Sequence, residues 1–417
     1  MVSNMKEKAK KIIYINLDGF SYSYYQYLYH HKLDEGFEKL KKDGIFFQNL
    51  HSGLISITNP MQSAILSGAW SNKTRNFYQH FDKEERRVVK HLRTFAAQNV
   101  AELFLESGKT VVSIHQFMLE NNPCVKGSKG NNYLVAPNEK SNYLDRFTIL
   151  YKIIKKEPVY VGEKEFIYDE FPDFLALYID DLDSLGHNID YPQYPKRKTY
   201  YERQKDIIER LLAIQNELVK LKKICIEQNI YDDVIILVTT DHGMTPFYGK
   251  SSLNLLKETL EKFDLKVNLH DDLKEDTELV LLPISNECSL YFLKPVSLEL
   301  MKEIREKLLK ENYVDKVLLK KEMMKKHGLD ERGPEILISA KKGNHFSIKD
   351  YLENYSANHD SLDKTSQHIF GLVFGGKIQP KVITKRVTSI DLIPSIIKNN
   401  NDLVLRDATN KINFWDL

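Results

Sequence analysis

Five short runs of apolar, β-branched residues dominate the chain, at 11–17, 110–115, 173–179, 234–239 and 369–374. They show almost no polar alternation, the pattern of strands buried on both faces. Between them, helical spacing is expected at 21–42, 88–107 and 198–228, the last with Ile207, Leu211, Ile214, Leu218 and Leu221 on one face. This alternation predicts an α/β fold: a mostly parallel central sheet with helices on both faces. The stretch 251–347 differs, being rich in Lys and Glu and reading helix–strand–strand–helix–strand–helix–strand. It is expected to be an inserted small α+β cap domain, with 1–250 and 348–417 forming the main α/β domain. The segment from about 120 to about 160 reads as a polar, loop-rich excursion.

Composition narrows the function classes. The 417 residues are 42% hydrophobic and 28% charged, which excludes a wholly disordered chain. Lys+Arg at 60 against Asp+Glu at 58 leaves a net charge of +2, too even to attract nucleic acid or a membrane surface. No basic tract is interleaved with aromatics, so no nucleic-acid partner is expected. No run reaches the ~18–20 apolar residues of a membrane span. The apolar run from Ile12 to Leu17 is shorter than a signal-peptide core and ends at an Asp-Gly pair, so it reads as a buried strand. Cys124, Cys225 and Cys288 are far apart and odd in number, suggesting neither a disulfide framework nor a thiolate cluster. A cytoplasmic setting is the expectation.

The chemistry gathers at strand ends. One strand closes on Asp18-Gly19, another runs into Asp180-Asp181-Leu182-Asp183 and on to His187, and a third ends Asp241-His242-Gly243. In parallel α/β sheets, ligands bind outside the carboxyl ends of the strands. Carboxylate and imidazole both suit zinc and neighbouring metals. A lone strand-end Asp-Gly is more often a turn; three such ends together point into one crevice. In Thr58-Asn59-Pro60-Met61-Gln62, Pro60 suits a first helical turn and Gly68 the helix stop. Thr58 then sits at the helix N-terminus, as a cap or beside a bound anion.

The order Asp18-Gly19, Thr58-x-Pro60, Asp183-x-x-x-His187, Asp241-His242-Gly243 and a late histidine resembles the alkaline phosphatase superfamily, in particular its type I phosphodiesterase/nucleotide pyrophosphatase branch. Val387-Thr388-Ser389-Ile390-Asp391 is similar to the family's closing segment, and Arg332-Gly333-Pro334-Glu335 to the end of its inserted cap. The resemblance implies one metal held by Asp183, His187 and His359, and a second held by Asp18, Asp241 and His242 facing the nucleophile Thr58. His359 is chosen because Asn358-His359-Asp360 resembles the family's Gly-x-His-Gly, with Asp360 in place of the last glycine. His368 is read as structural and His345 as a weaker competitor. Asn76 matches a family side-chain donor to the substrate's phosphoryl oxygen, and Tyr178 a ring that can line a base pocket; Asn59 follows the nucleophile.

A threonine hydroxyl needs activation near neutral pH, and divalent metals supply it. Imidazoles in both half-sites favour two Zn²⁺ over magnesium. The expectation is therefore a metal-dependent hydrolase of phosphodiester or nucleotide pyrophosphate bonds, acting on a small-molecule phosphate ester or nucleotide through a threonyl intermediate. Thr58-x-Pro60-x-Gln62 lacks the Cys/Ser and Arg of sulfatases. A phosphonoacetate hydrolase ranks second because Ser113-Ile114-His115 lacks that enzyme's paired lysines. A phosphomonoesterase and a catalytically silent relative rank lower still.

Overall fold

The computed structural model describes residues 10–92, 96–120, 132–135, 141–191, 193–409 and 411–417. Its largest sheet has eight strands: β1 (Lys11–Leu17), β2 (Gly44–Phe47), β3 (Val111–Ile114), β4 (Asn132–Leu134), β5 (Phe174–Ile179), β6 (Val234–Thr239), β7 (Gly371–Gly375) and β8 (Lys381–Ile383). Their spatial order is β8-β2-β7-β6-β1-β5-β3-β4. All neighbours are parallel except β7, which runs antiparallel between β2 and β6.

The even apolarity of β1 has a direct structural cause. Ile13, Ile15 and Leu17 join the hydrophobic cluster beneath the Tyr22–His30, Tyr143–Ile154 and Tyr200–Glu227 helices, while Ile12 and Tyr14 join the one beneath Thr58–Ser67 and Leu392–Asn401. With successive side chains pointing to opposite faces, a strand covered on both is apolar on both, here at every position from Ile12 to Leu17 except the buried Asn16. The expected α/β architecture is the one observed.

A second, five-stranded sheet runs in the order Val267–Leu269, Leu279–Pro283, Glu287–Phe292, Ile336–Ala340, Val314–Leu319. It carries its own apolar cluster with the Leu253–Glu261 and Leu298–Leu308 helices. The short Val267–Leu269 strand adds one element to the expected sequence. A two-stranded arm, Thr245–Gly249 with Tyr351–Asn358, lies before and after this sheet in the chain.

The expected strand 369–374 divides between His368–Ile369, which pairs with Leu50–His51, and β7, and local expectations differ in three more places. Among the described residues of 88–107 the helix is Val100–Glu106; Arg87–Lys90 instead pairs with Gln79–Asp82 as a hairpin. The stretch 21–42 divides into Tyr22–His30 and Glu35–Lys41, with Lys32 at φ 58 between them. The polar excursion contributes β4 and the Tyr143–Ile154 helix, while 121–131 and 136–140 lie outside the described residues. Among the described residues, no helix is long and apolar enough to cross a membrane.

Candidate active site

Strand order assembles the site. Since β6, β1 and β5 are adjacent and parallel, Asp241, Asp18 and the Asp181–Gly186 helix leave the same sheet edge. Gly19 makes the close turn after Asp18: at φ +79, a Cβ there would lie 2.8 Å from the Asp183 Cα. Asp183 stands in that helix and His187 caps its end. His359 arrives separately, immediately after the Tyr351–Asn358 strand.

Two donor groups result. One comprises Asp183, His187 and His359, the other Asp18, Asp183 and His242; within each, the ligand atoms all lie within 4.8 Å of one another. Asp183 therefore adjoins both groups, where the sequence reading gave it to one. Asp241 Oδ2 lies 3.7 Å from His242 Nε2. Thr58 is the first residue of its helix, and its Oγ1 lies 3.0 Å from His242 Nε2. Thr58 and Asn59 are half-buried while the rest of the helix is buried, so its N-terminal end is the part open to solvent. Gly68 closes the helix at φ 64.

The three histidines share one arrangement. Nδ1 of His187 meets Ala357 O at 2.9 Å, that of His242 meets Gly243 O at 3.0 Å, and that of His359 meets Ser56 O at 2.8 Å. A carbonyl only accepts, so each Nδ1 carries a proton, and each ring in its neutral form has its lone pair on Nε2. Fixing metal-binding imidazoles through the other ring nitrogen is the usual device for orienting them. The Ser56 carbonyl follows Ile55, a β-branched residue at φ 59. That conformation costs about 1–3 kcal/mol, and such strain concentrates at functional sites.

The clustered carboxyls and imidazoles shift one another's ionisation. Oδ1 of Asp18 and Oδ1 of Asp183 are buried and accept no hydrogen bond. Burial, with Asp241 and Asp183 adding repulsion, holds the Asp18 carboxyl well above the usual range. Burial opposes ionisation of Asp183 too, but His187, His359 and His242 outweigh it and keep its pKa low. Burial would depress His187, yet Asp183 raises it to about 9. Asp18 Oδ1 lies 3.2 Å from His242 Nε2 and Asp183 Oδ1 3.3 Å from His187 Nε2, a clustering of carboxylate and imidazole donors that fits divalent cations.

The remaining expected residues are near but differently engaged. Tyr178 donates its hydroxyl to Asp18 Oδ2, and its ring meets Phe117 edge-on at 5.2 Å. Asn76 is buried and its Nδ2 donates to Asn59 O at 3.3 Å, which sets it beside the nucleophile turn. His368 stacks on Tyr22 at 4.0 Å, and His345 bonds Gly249 O at 3.3 Å; neither joins a donor group among the described residues.

Two participants escaped the sequence reading. Gln62, one turn after Thr58, donates to Asp241 Oδ2 at 3.0 Å, while its Oε1 accepts from Tyr14 and Gln116. Asp360, next to His359, accepts the backbone N–H groups of Ser285, Asn286 and Glu287 at 2.7, 2.9 and 3.0 Å. The helical spacing from Thr58 was the one available signal for Gln62, and the departure from glycine the signal for Asp360.

Fold and donor set together define an alkaline phosphatase-type hydrolase. The sequence profile of the type I phosphodiesterase / nucleotide pyrophosphatase family matches residues 12–363, and the chain belongs to that family. Its members are metal-dependent hydrolases. No curated protein matches it by sequence. Among solved structures, murine ectonucleotide pyrophosphatase / phosphodiesterase 5 aligns with a TM-score of 0.65 at 17% identity, covering 98% of each chain. An inactive variant of that protein in complex with AMP aligns at 0.64 and 18%, covering 97% of this chain and 98% of that one. Phosphonoacetate hydrolase from Sinorhizobium meliloti 1021, in complex with phosphonoacetate, aligns at 0.65 and 16%, covering 92% and 94%. At these identities the shared property is the fold.

Proposed function

We propose that the chain hydrolyses phosphodiester or nucleotide pyrophosphate bonds at a two-zinc site, with Thr58 as nucleophile. The observation that carries this reading is the common Nδ1 anchoring of His187, His242 and His359 to carbonyl oxygens, each turning Nε2 toward a carboxylate. Asp183, His187 and His359 would hold one ion, and Asp18, Asp241 and His242 the other. Zinc, when bound, supplies the Lewis acidity that favours the Thr58 alkoxide and steadies the departing oxygen.

The chain's own contribution is orientation. Thr58 Oγ1 attacks phosphorus, the ester oxygen leaves, and water later cleaves the threonyl phosphate. The N-terminal turn of the Thr58–Ser67 helix directs its dipole at the anionic phosphoryl oxygens. Asn76, held at Asn59, is proposed as a further donor to one of those oxygens. The AMP bound by the murine relative makes nucleotides the first substrates to test. Residues 251–347 are proposed as the cap over this site.

Phosphonoacetate hydrolysis stays second. Where that enzyme's lysines are expected, the cation near His115 is Arg146, already paired to Asp180 at 2.9 Å. Hydrolysis of bis-p-nitrophenyl phosphate by zinc-loaded protein tests the reading. Thr58→Ala is expected to lower kcat by about a thousandfold while retaining about two zinc ions per chain. Undiminished turnover in that variant, or in fully chelated protein, would remove the mechanism.

A further inference from the structure

Outside the site, the Leu298–Leu308 and Lys320–His327 helices flank a groove of about 870 Å³ on the second sheet. Its interior is apolar. Leu298 and Met301 contribute from one helix, Met324 from the other and Leu319 from between them. Leu298 and Met324 are 45% and 42% exposed, uncovered by any other described part of the chain. Along the first helix, positions 298, 301, 302 and 305 fall on a single face.

The rim is cationic. Six Lys or Arg side chains line the groove against two Glu, although the whole molecule carries only +2. Both glutamates are already engaged, Glu322 with Arg305 at 3.0 Å and Glu335 with Lys83 at 2.8 Å. Lys302, Lys321, Lys325 and Lys326 have no ion-pair partner among the described residues. Lys320 and Lys321 also occupy the first turn of their helix, where the dipole disfavours cations. Lys320 meets Glu335 at 3.6 Å, so it is Lys321 that breaks the local preference without an internal ion pair.

We propose that this groove docks an acidic amphipathic helix of a partner protein. Apolar side chains spaced i, i+3, i+4 and i+7 would enter between the two helices while flanking carboxylates meet the free lysines. The 11-residue Leu298–Leu308 helix offers about 16 Å, room for about three turns. The paired methionine side chains suit an adaptable floor. A symmetric second copy would oppose two like-charged rims. No aromatic residue lines the groove to stack on nucleic-acid bases.

The test uses the full chain and a labelled synthetic helix of about 14 residues, with Leu at i, i+3, i+4 and i+7 and Glu on the flanks, read by fluorescence anisotropy. Binding is expected on the order of 10 μM and should weaken severalfold from about 50 to about 300 mM NaCl. Met324→Glu and the pair Lys321→Glu/Lys325→Glu should each weaken it about tenfold, with unchanged thermal melts. Equal binding of a Lys-flanked helix, wild-type affinity in the groove variants, or no binding would overturn the proposal. So would groove-dependent capture on phosphatidylglycerol vesicles without helix binding, which would assign the surface to membranes.

Discussion

The Gln62 amide has no freedom of orientation: Tyr14 at 3.3 Å and Gln116 at 2.9 Å both donate to its oxygen, which turns its nitrogen to Asp241. Asp241 Oδ1 accepts from Thr240 Oγ1 and the His242 N–H, each at 3.1 Å. The helix bearing Thr58 is thereby tied to a proposed metal ligand. Gln62→Leu leaves that carboxylate oxygen buried and unpaired. Zinc affinity, measured by competition with a chromogenic chelator, is expected to fall about 10- to 100-fold, with kcat falling alongside. Unaltered zinc affinity would reduce Gln62 to a packing residue. This role was hidden in the sequence because the partner is 179 positions away.

At the scale of elements, the turn before Glu287–Phe292 is fastened to the loop carrying His359. Besides the three N–H groups reaching Asp360, Asn286 Nδ2 donates to Asn358 O at 3.0 Å and Asn358 Nδ2 to Ser285 Oγ at 2.9 Å. Asp360→Gly restores the family residue but strands three backbone donors, two of them buried, whereas Asp360→Asn keeps an acceptor. The glycine variant is expected to lose about 2 kcal/mol or more of stability in denaturant melts, and the asparagine variant less than half of that. Equal loss in both would show that the carboxylate is incidental. Elements were legible where local pattern and tertiary role agree: β1 and β6 were expected at their observed bounds because both faces of each are buried. Val88 and Val89 were misread because two adjacent apolar residues fit a helix face as readily as a hairpin. The Tyr143–Ile154 helix was lost among polar neighbours, although Asn142 and Asp145 form its capping box.

For the whole molecule, strand-end chemistry was readable because a parallel sheet makes its carboxyl ends converge, while ring orientation and shared ligands depend on contacts far apart in sequence. The same convergence makes stability depend on pH and metal together. In the metal-free fold, burial is the first cause that raises Asp18; it also raises Asp181 to about 6 and Asp360 to about 7, against about 3.9 when unfolded. A raised carboxyl binds its proton more tightly folded than unfolded, so its stabilisation is complete below about pH 4 and is lost as pH climbs through the folded value. His187, raised to about 9 by Asp183 despite burial, continues the loss from about pH 6.5 upward. Asp183 acts oppositely but only on acidification, since its pKa is depressed. Bound cations reverse the trend at Asp18 and His187 by stabilising the ionised carboxylate and the neutral imidazole, while Asp181, paired to Arg210, and Asp360, held by backbone N–H groups, contribute alike with and without metal. The difference in Tm between zinc-loaded and EDTA-treated protein is therefore expected to widen by several degrees from about pH 5.5 to about pH 8. Scanning calorimetry at matched ionic strength measures it. A difference that stays constant or narrows would mean that Asp18 and His187 do not face the metals.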